Sequence, residues 1–331
     1  MKICVFGAGA VGGHLAARLA SAGNDVSVIV RPAMAQVLAR DGFEIKTGGE
    51  TVRARVRAHA IAAEAGVQDV VIVAVKATAL TEAARSLPAL LAPATPVVFV
   101  VNGIPWWYAH NQSNGPPLDL LDPGAAMAKA IGFKRVIGSV VFSSNEVIAP
   151  GRIVNHSAGM NTLTMGEISG PVSARLKEFS AAVVASGFAA PVVDDIRREV
   201  WSKLVSSNLA TLPICSLVEQ PMSILGRNPE ILALAKAVVA EGLAVAASAG
   251  YPLGLDPEKL FDERRIHNPH KPSMLQDLEN RRPMEIDAVL VAAQRFARAA
   301  AVPTPHLDAL SAILKQRAAD AGLYDMQGAK T

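Results

Sequence analysis

The stretch KICVFGAGAVGGHLAARLASAG, Lys2 to Gly23, decides how this chain folds. KICVF is a short apolar run that reads as a strand, Gly7, Gly9 and Gly12 follow as a turn, and the next residues have helical character until Gly23 can end them. DVSVIV then supplies a second strand, so the order strand, helix, strand predicts a parallel sheet with a crossover helix. A glycine turn at that junction has a specific use. It lets the backbone approach a pyrophosphate, brings the helix close to the sheet and points the helix N-terminus at the anion. Gly7, Ala8, Gly9, Ala10, Val11 and Gly12 are therefore the candidate cradle for a dinucleotide.

Which dinucleotide fits is set at the end of the second strand. An acid there would accept from the ribose hydroxyls of NAD, whereas VSVIVRP has none and runs into Arg31, whose guanidinium can pair with a 2′-phosphate. The expected cofactor is NADP(H). Further on, FEIKT and TVRARV flank Gly48 and Gly49 as a hairpin. DVVIVAVK and PVVFVVNG are continuous apolar strands suited to a sheet covered on both faces, with a helix containing LTEAARSLPALL between them. Lys76, at the end of VIVAVK, and Asn102, at the end of VVFVVN, then stand at the carboxyl edge of the sheet, where ligands of open parallel sheets bind.

HNQSNGPPLDLLDPG, rich in Asn, Gly and Pro, reads as a surface loop. RVIGSVVFSSNEVI and RIVNHSAGMNTLTMGE read as further strands, followed by a helix from Pro171 to Ser186 and a short strand in APVVD. From Asp195 the strand signal stops and the remainder is helical. The expectation is an α/β fold in two domains: residues 1–194 as a dinucleotide-binding domain and residues 195–331 as an all-helical substrate and catalytic domain. A net charge of +3 with no Lys/Arg cluster argues against a nucleic-acid partner. No segment reaches an unbroken run of about 20 apolar residues, and the N-terminal stretch is too glycine-rich for an export signal. Cys4 and Cys215 lie far apart without metal-ligand spacing, which fits two buried free thiols, no metal, and a reducing cytoplasm. Oligomeric state stays open: ILALAKAVVAEGLAVAASAG suits either the core of the helical domain or the seam of a homodimer.

In WSKLVSSNLATLP, Trp201 to Pro213, residues three or four apart share a helix face, so Trp201, Leu204, Val205, Leu209 and Leu212 form an apolar stripe. Lys203 falls on another face with Glu199 one turn earlier, the spacing of an exposed ion pair contributing about 0.2–0.5 kcal/mol. By this window alone, Lys203 is a surface charge. HKPSMLQDLENRRPMEID, His270 to Asp287, is unusually polar ahead of an apolar helix, and Glu285 falls in the first turn after Pro283, where it suits the helix dipole.

Taken together, GAGAVGG, Arg31, VKA at Lys76, NGIPWWY from Asn102, HSAG with MGE between His156 and Glu167, WSKL at Lys203 and KPSMLQDLENRRPMEID resemble the ketopantoate reductase (2-dehydropantoate 2-reductase) family. The matches keep their order along nearly the whole chain. GxGxxG is generic, but the WxKL, KPSMLQD and EID segments are specific. The resemblance implies NADPH-dependent reduction of a 2-oxo acid to a 2-hydroxy acid, a step of pantothenate biosynthesis, in a Rossmann domain joined to a helical domain. It implies that Lys203 donates a proton to the ketone oxygen as hydride arrives and that Glu285 accepts from the substrate's distal hydroxyl. Ser273 would help hold the carboxylate, and Asn102 would lie beside nicotinamide and substrate. The chemistry agrees, because hydride addition leaves an alkoxide that a cationic acid both stabilises and quenches. On this basis Lys203 becomes the general acid.

One departure stands out. The family places an asparagine four residues after the lysine and another four later, followed by proline. Here Ser207 is fourth, Asn208 fifth, and Pro213 one place late, with Thr211 and Leu212 near the position of the second amide. Either the helix carries an extra residue, accommodated by a π-bulge, or Ser207 replaces the amide; an added residue rotates all later positions by about 100° in a regular helix. Ser207 and Asn208 are both candidate substrate contacts. The departure leaves room for a relative acting on another 2-oxo acid or oxidising a hydroxy acid. A non-catalytic NADP(H) sensor is the third reading, though a sensor needs neither Lys203 nor a carboxylate contact.

Overall fold

The structure, a computed structural model, describes residues 1–112 and 115–326. They form two compact units: Met1–Val101 with Gly124–Ile196, and Asn102–Pro123 with the chain from Arg197 onward. The segment Asn102–Pro123, which the sequence pattern assigns to the first domain, thus groups with the helices. Its loop is also less superficial than its composition suggests. Leu118 and Leu121 are buried at the 3-10 turn Asp119–Leu121, while positions 113 and 114 lie outside the described residues.

The first unit contains β1 (Lys2–Phe6), β2 (Asp25–Ile29), β3 (Phe43–Thr47), β4 (Glu50–Ala54), β5 (Arg57–His59), β6 (Val70–Val73), β7 (Val97–Phe99), β8 (Val136–Phe142), β9 (Asn145–Ala149), β10 (Arg152–Asn155) and β11 (Thr162–Glu167). Seven of them form a sheet in the order β11-β8-β7-β6-β1-β2-β5, parallel throughout except that β11 runs antiparallel to β8. Its middle strands are buried on both faces, which explains their unbroken apolar runs. The β3–β4 hairpin, with Phe43 opposite Ala54, belongs to a separate four-stranded sheet, β4-β3-β10-β9.

Several expected elements are shorter. β6 ends at Val73 and β7 at Phe99, because their ladder neighbours stop there, β1 turning away at Gly7; Lys76 and Asn102 therefore lie three residues beyond the strands rather than at their ends. LTEAARSLPALL is two short pieces, Leu80–Ala83 and Leu87–Leu90, since Pro88 removes a backbone donor and disfavours helix before it. APVVD makes one isolated bridge, Val192 with Met165, and a second joins the preceding Ala189 to Thr162.

Helices α1 (Ala10–Ser21), α2 (Pro32–Asp41) and α3 (Ala174–Ala185) complete the unit. α1 packs against β1 and β2 on one side and β3, β4, β9 and β10 on the other, so it is buried nearly all round. That is why it is built from small residues: a Cβ on Gly13 would come within 2.7 Å of Ile153 Cδ1 and 3.1 Å of Phe43 Cε1. Beside it lies a buried polar network. Asn155 Nδ2 donates to Asn145 Oδ1 and Asn161 Oδ1, both at 2.9 Å, Ser143 Oγ donates to Asn161 Oδ1 at 2.7 Å, and His14 Nδ1 meets Ser143 Oγ at 3.3 Å.

The principal helices of the second unit are α4 (Ile196–Lys203), which begins at the junction, α5 (Thr211–Val218), α6 (Pro229–Ser248), α7 (Ser273–Glu279), α8 (Ala292–Ala299) and α9 (Pro305–Asp320). Asn228 caps α6 by accepting from the N–H groups of Glu230 and Ile231, with Pro229 in the first turn. By length and composition α6 is apolar enough to cross a membrane, which corrects the expectation that no segment qualifies: Lys236 and Glu241 interrupt the run without ending the helix. Within its unit α6 packs on α5, α8 and α9. Cys4 and Cys215 are free and buried, and burial pushes both thiols up to about 12.

Candidate active site

In the first unit, β1 lies where the strand order turns, with β2 on one side and β6 on the other. Gly7 has φ +94°, and a Cβ there would meet Val75 Cγ1 at 2.6 Å; one on Gly12 would meet the Gly7 carbonyl at 2.1 Å. Those two glycines are required by the protein itself. Gly9 is not: its backbone is extended and a Cβ would touch nothing within 4 Å. It caps α1 without any side-chain hydrogen bond, leaving the first N–H groups of a 12-residue helix to an outside acceptor. Ala8, Ala10 and Val11 are half-buried around it. Arg31 is exposed just beyond β2, with no hydrogen bond or ion pair from its side chain among the described residues. Lys76 precedes the 3-10 turn Ala77–Ala79. An open glycine and an uncapped helix start fit a dinucleotide.

In the second unit, Lys203, Asn102 and Glu285 converge. Lys203 Nζ donates to Asn102 Oδ1 at 2.7 Å, and Asn102 Nδ2 donates to Glu285 Oε2 at 3.5 Å, so one amide spans a cation and a carboxylate. Glu285 is buried. It stands just before the helix that starts at Ile286 rather than in its first turn, and its carbonyl accepts from Val289 N–H. Desolvation brings the Lys203 pKa down to about 8, against the opposing pull of the Glu285 charge. Glu199 makes no ion pair among the described residues, so the surface-charge reading of Lys203 is excluded. The apolar stripe of the same helix is buried throughout, from Trp201 to Leu212.

The departure after Lys203 has a structural answer. Leu204–Asn208 is a π-helical segment in which Leu209 N–H donates to the Leu204 carbonyl at 2.9 Å. One extra residue is thereby absorbed, so Asn208 takes the place that the fourth residue after Lys203 would hold in a regular helix. Pro213, one place late, is realigned by the same shift. Asn208 is buried, and its Nδ2 has no hydrogen-bond partner among the described residues. Ser207 is half-buried, with its hydroxyl 3.3 Å from that of Ser206. Leu212, buried, stands at the second amide's place. Ser273 opens α7, half-buried and without a side-chain hydrogen bond among the described residues.

Sequence reasoning missed the parts that hold these groups. A second π-helical segment, Asp287–Val291, follows Glu285, and the carbonyl of Ala288 within it accepts from Ile104 N–H at 2.7 Å. Gly103, at φ +77°, lies so close that a Cβ would sit 2.2 Å from the Ala288 oxygen. Arg197, buried, donates to the carbonyls of Tyr108 at 2.9 Å and His110 at 2.7 Å and lies over the rings of Trp107 and Tyr108. Trp201 Nε1 donates to Tyr108 Oη at 2.6 Å. These contacts pin the segment that carries Asn102 to the helices. NG is a common turn pair and gives no hint of them.

The family model described as ketopantoate reductase PanE/ApbA matches residues 3–170, and its C-terminal counterpart matches residues 195–318. A 2-dehydropantoate 2-reductase of Mesorhizobium japonicum is 42% identical, the alignment covering 98% of this chain and all of the relative. A provisionally assigned ketopantoate reductase from Ralstonia solanacearum MolK2 is 36% identical, with a TM-score of 0.88 over 98% of this chain and 99% of that one. D-mandelate dehydrogenase bound to NADH and anilino(oxo)acetate shares the fold, with a TM-score of 0.82 at 22% identity over 98% of this chain and 100% of that one.

Proposed function

The chain belongs to the ketopantoate reductase family, and from that membership we propose that it is an oxidoreductase reducing the C2 ketone of ketopantoate to pantoate with NADPH, in the cytoplasm. The Lys203–Asn102–Glu285 group carries the reading: an ammonium with its pKa brought to about 8, aimed by an amide, has the acidity and fixed geometry of a general acid. Residues 1–194 bind cofactor and residues 195–331 bind substrate in this account. Gly7–Gly12 receive the pyrophosphate and Arg31 the 2′-phosphate, with Lys76 and Asn102 as further cofactor contacts.

NADPH, when bound, supplies the hydride. Lys203 Nζ gives its proton to the C2 oxygen as that oxygen gains charge, and until then its positive charge stabilises the developing alkoxide. Asn102 Oδ1 holds Nζ in place. Glu285 accepts from the substrate's distal hydroxyl, and its charge opposes the desolvation that would strip Lys203 of its proton. Ser273 holds the carboxylate. In the register set by the π segment, Asn208 supplies the amide, which gives its buried, unpaired N–H a partner; leaving such a donor unmet costs about 1–3 kcal/mol. Ser207 is a lesser neighbour.

A second reading keeps the chemistry and changes the acid. Leu212 puts an apolar side chain where the family has its second amide, which favours a 2-oxo acid offering one polar contact fewer.

Following NADPH absorbance with a panel of 2-oxo acids including ketopantoate tests both readings. Wild type should turn over ketopantoate, and Lys203→Ala should lose roughly 10²–10⁴-fold in kcat. No turnover with any acid sinks the reductase reading, and full activity in Lys203→Ala removes Lys203 from the mechanism. Equal affinity for NADH and NADPH would dismiss the role given to Arg31.

A further inference from the structure

We infer that Arg265 is a positioning residue for substrate recognition, acting through the π segment to hold Asn208 in register; the inference rests on the reading of Asn208 given above. In an α-helix each carbonyl accepts from the N–H four residues on, and a π turn displaces that partner, leaving carbonyls near the junction to find other donors. Leu204 accepts from Leu209 N–H. Downstream, the carbonyl of Ser206 accepts from Arg265 Nη2 and that of Ser207 from Thr211 Oγ1. Both residues immediately before Asn208 therefore have their carbonyls held by side chains.

Arg265 is not an ordinary surface charge. It is half-buried, its guanidinium lies 5.4 Å from the Phe261 ring centroid, and its Nε has no hydrogen-bond partner. Among the described residues no carboxylate lies within ion-pair distance of it; Asp262 accepts from its backbone N–H instead, at 2.8 Å. Desolvation lowers its pKa from the usual arginine range. A cation drawn into such a setting, with the Asp262 charge near but not in ion-pair contact, is held by the acceptor its side chain does have, the Ser206 carbonyl. The product of that contact is a fixed π turn one to five residues after Lys203. The residues before it in the segment DERRIHN, Asp262, Glu263 and Arg264, are exposed.

The test is a double-mutant cycle. Arg265→Met, Arg265→Lys and Thr211→Val are each made alone and with Asn208→Ala, and kcat, KM for ketopantoate, NADPH affinity and thermal midpoint are measured. Arg265→Met should raise KM about 10-fold while kcat and NADPH affinity change less than about twofold, and Arg265→Lys, which keeps a donor, should recover most of that loss. In the Asn208→Ala background the Arg265→Met effect should shrink below about twofold. If Arg265→Met does not fold, Thr211→Val, which removes the neighbouring donor, carries the same cycle. Additive effects beside a strong Asn208→Ala defect, or a lysine variant as poor as methionine, overturn the inference alone. An Asn208→Ala variant with unchanged KM overturns the substrate reading of Asn208 and the inference with it.

Discussion

Two π-helical segments each follow a residue of the candidate site, Leu204–Asn208 after Lys203 and Asp287–Val291 after Glu285, and they are held differently. In the first, side chains meet the displaced carbonyls, that of Arg265 from far along the chain and that of Thr211 from the next turn. In the second, the Ala288 carbonyl meets a backbone N–H, that of Ile104, two residues after Asn102. A side-chain donor can be traded for another by one substitution. A backbone donor can be disturbed only by moving the chain that bears it, so the second arrangement should be the less tolerant of change.

Gly103→Ala tests that contrast most severely. The new Cβ would lie 2.2 Å from the Ala288 oxygen in a backbone of φ +77°, so the segment must shift and carry Asn102 with it. A loss of about 100-fold in kcat is expected, since a misplacement of about 1 Å costs that much, together with weaker NADPH binding because Asn102 is also a proposed cofactor contact. Steady-state kinetics beside a cofactor titration would show it, and near-normal kcat would mean that the Ala288 contact does not place Asn102.

Glu285→Gln should act on both substrate and acid. KM is expected to rise about 10-fold from loss of a charged acceptor. The pH dependence should move as well: reduction needs Lys203 protonated, so the rate holds at low pH and falls as pH rises through about 8 in the wild type. Removing the carboxylate removes a charge that raises the Lys203 pKa, so the alkaline limb should shift to lower pH. A profile that stays in place or moves upward argues against the coupling. The mildest change is Ser207→Ala, expected to alter KM by less than about twofold where Asn208→Ala alters it about 10-fold. The reverse order would give Ser207 the amide's role and make the bulge incidental.

The two segments also differ in how far the amino-acid sequence betrays them. The extra residue after Lys203 shows in the late Pro213 and the fifth-place Asn208, because a family spacing exists to compare with. DAVLV after Glu285 is an unremarkable apolar run, and only its hydrogen bonds reveal the π turn. The glycine turn, the hairpin at Gly48–Gly49 and the helical second half are legible because each depends on local pattern. What is not legible is long-range. Nothing local says that Asn102–Pro123 leaves the sheet for the helices, since Arg197, Trp201 and Ala288, which hold it, lie far along the chain. Lys203 itself misleads, because its periodicity is that of a surface residue and only Asn102 and Glu285 show otherwise.

The placement of α1 between two sheets has a consequence for engineering. Gly12 answers to the main sheet, through the Gly7 carbonyl and Ala74, and Gly13 to the other, through Ile153 and Phe43. The second sheet is thus half of the socket in which α1 is seated. A minimal nucleotide-binding module cut from this chain would have to keep β3, β4, β9 and β10, although none of them belongs to the motif by which such modules are found.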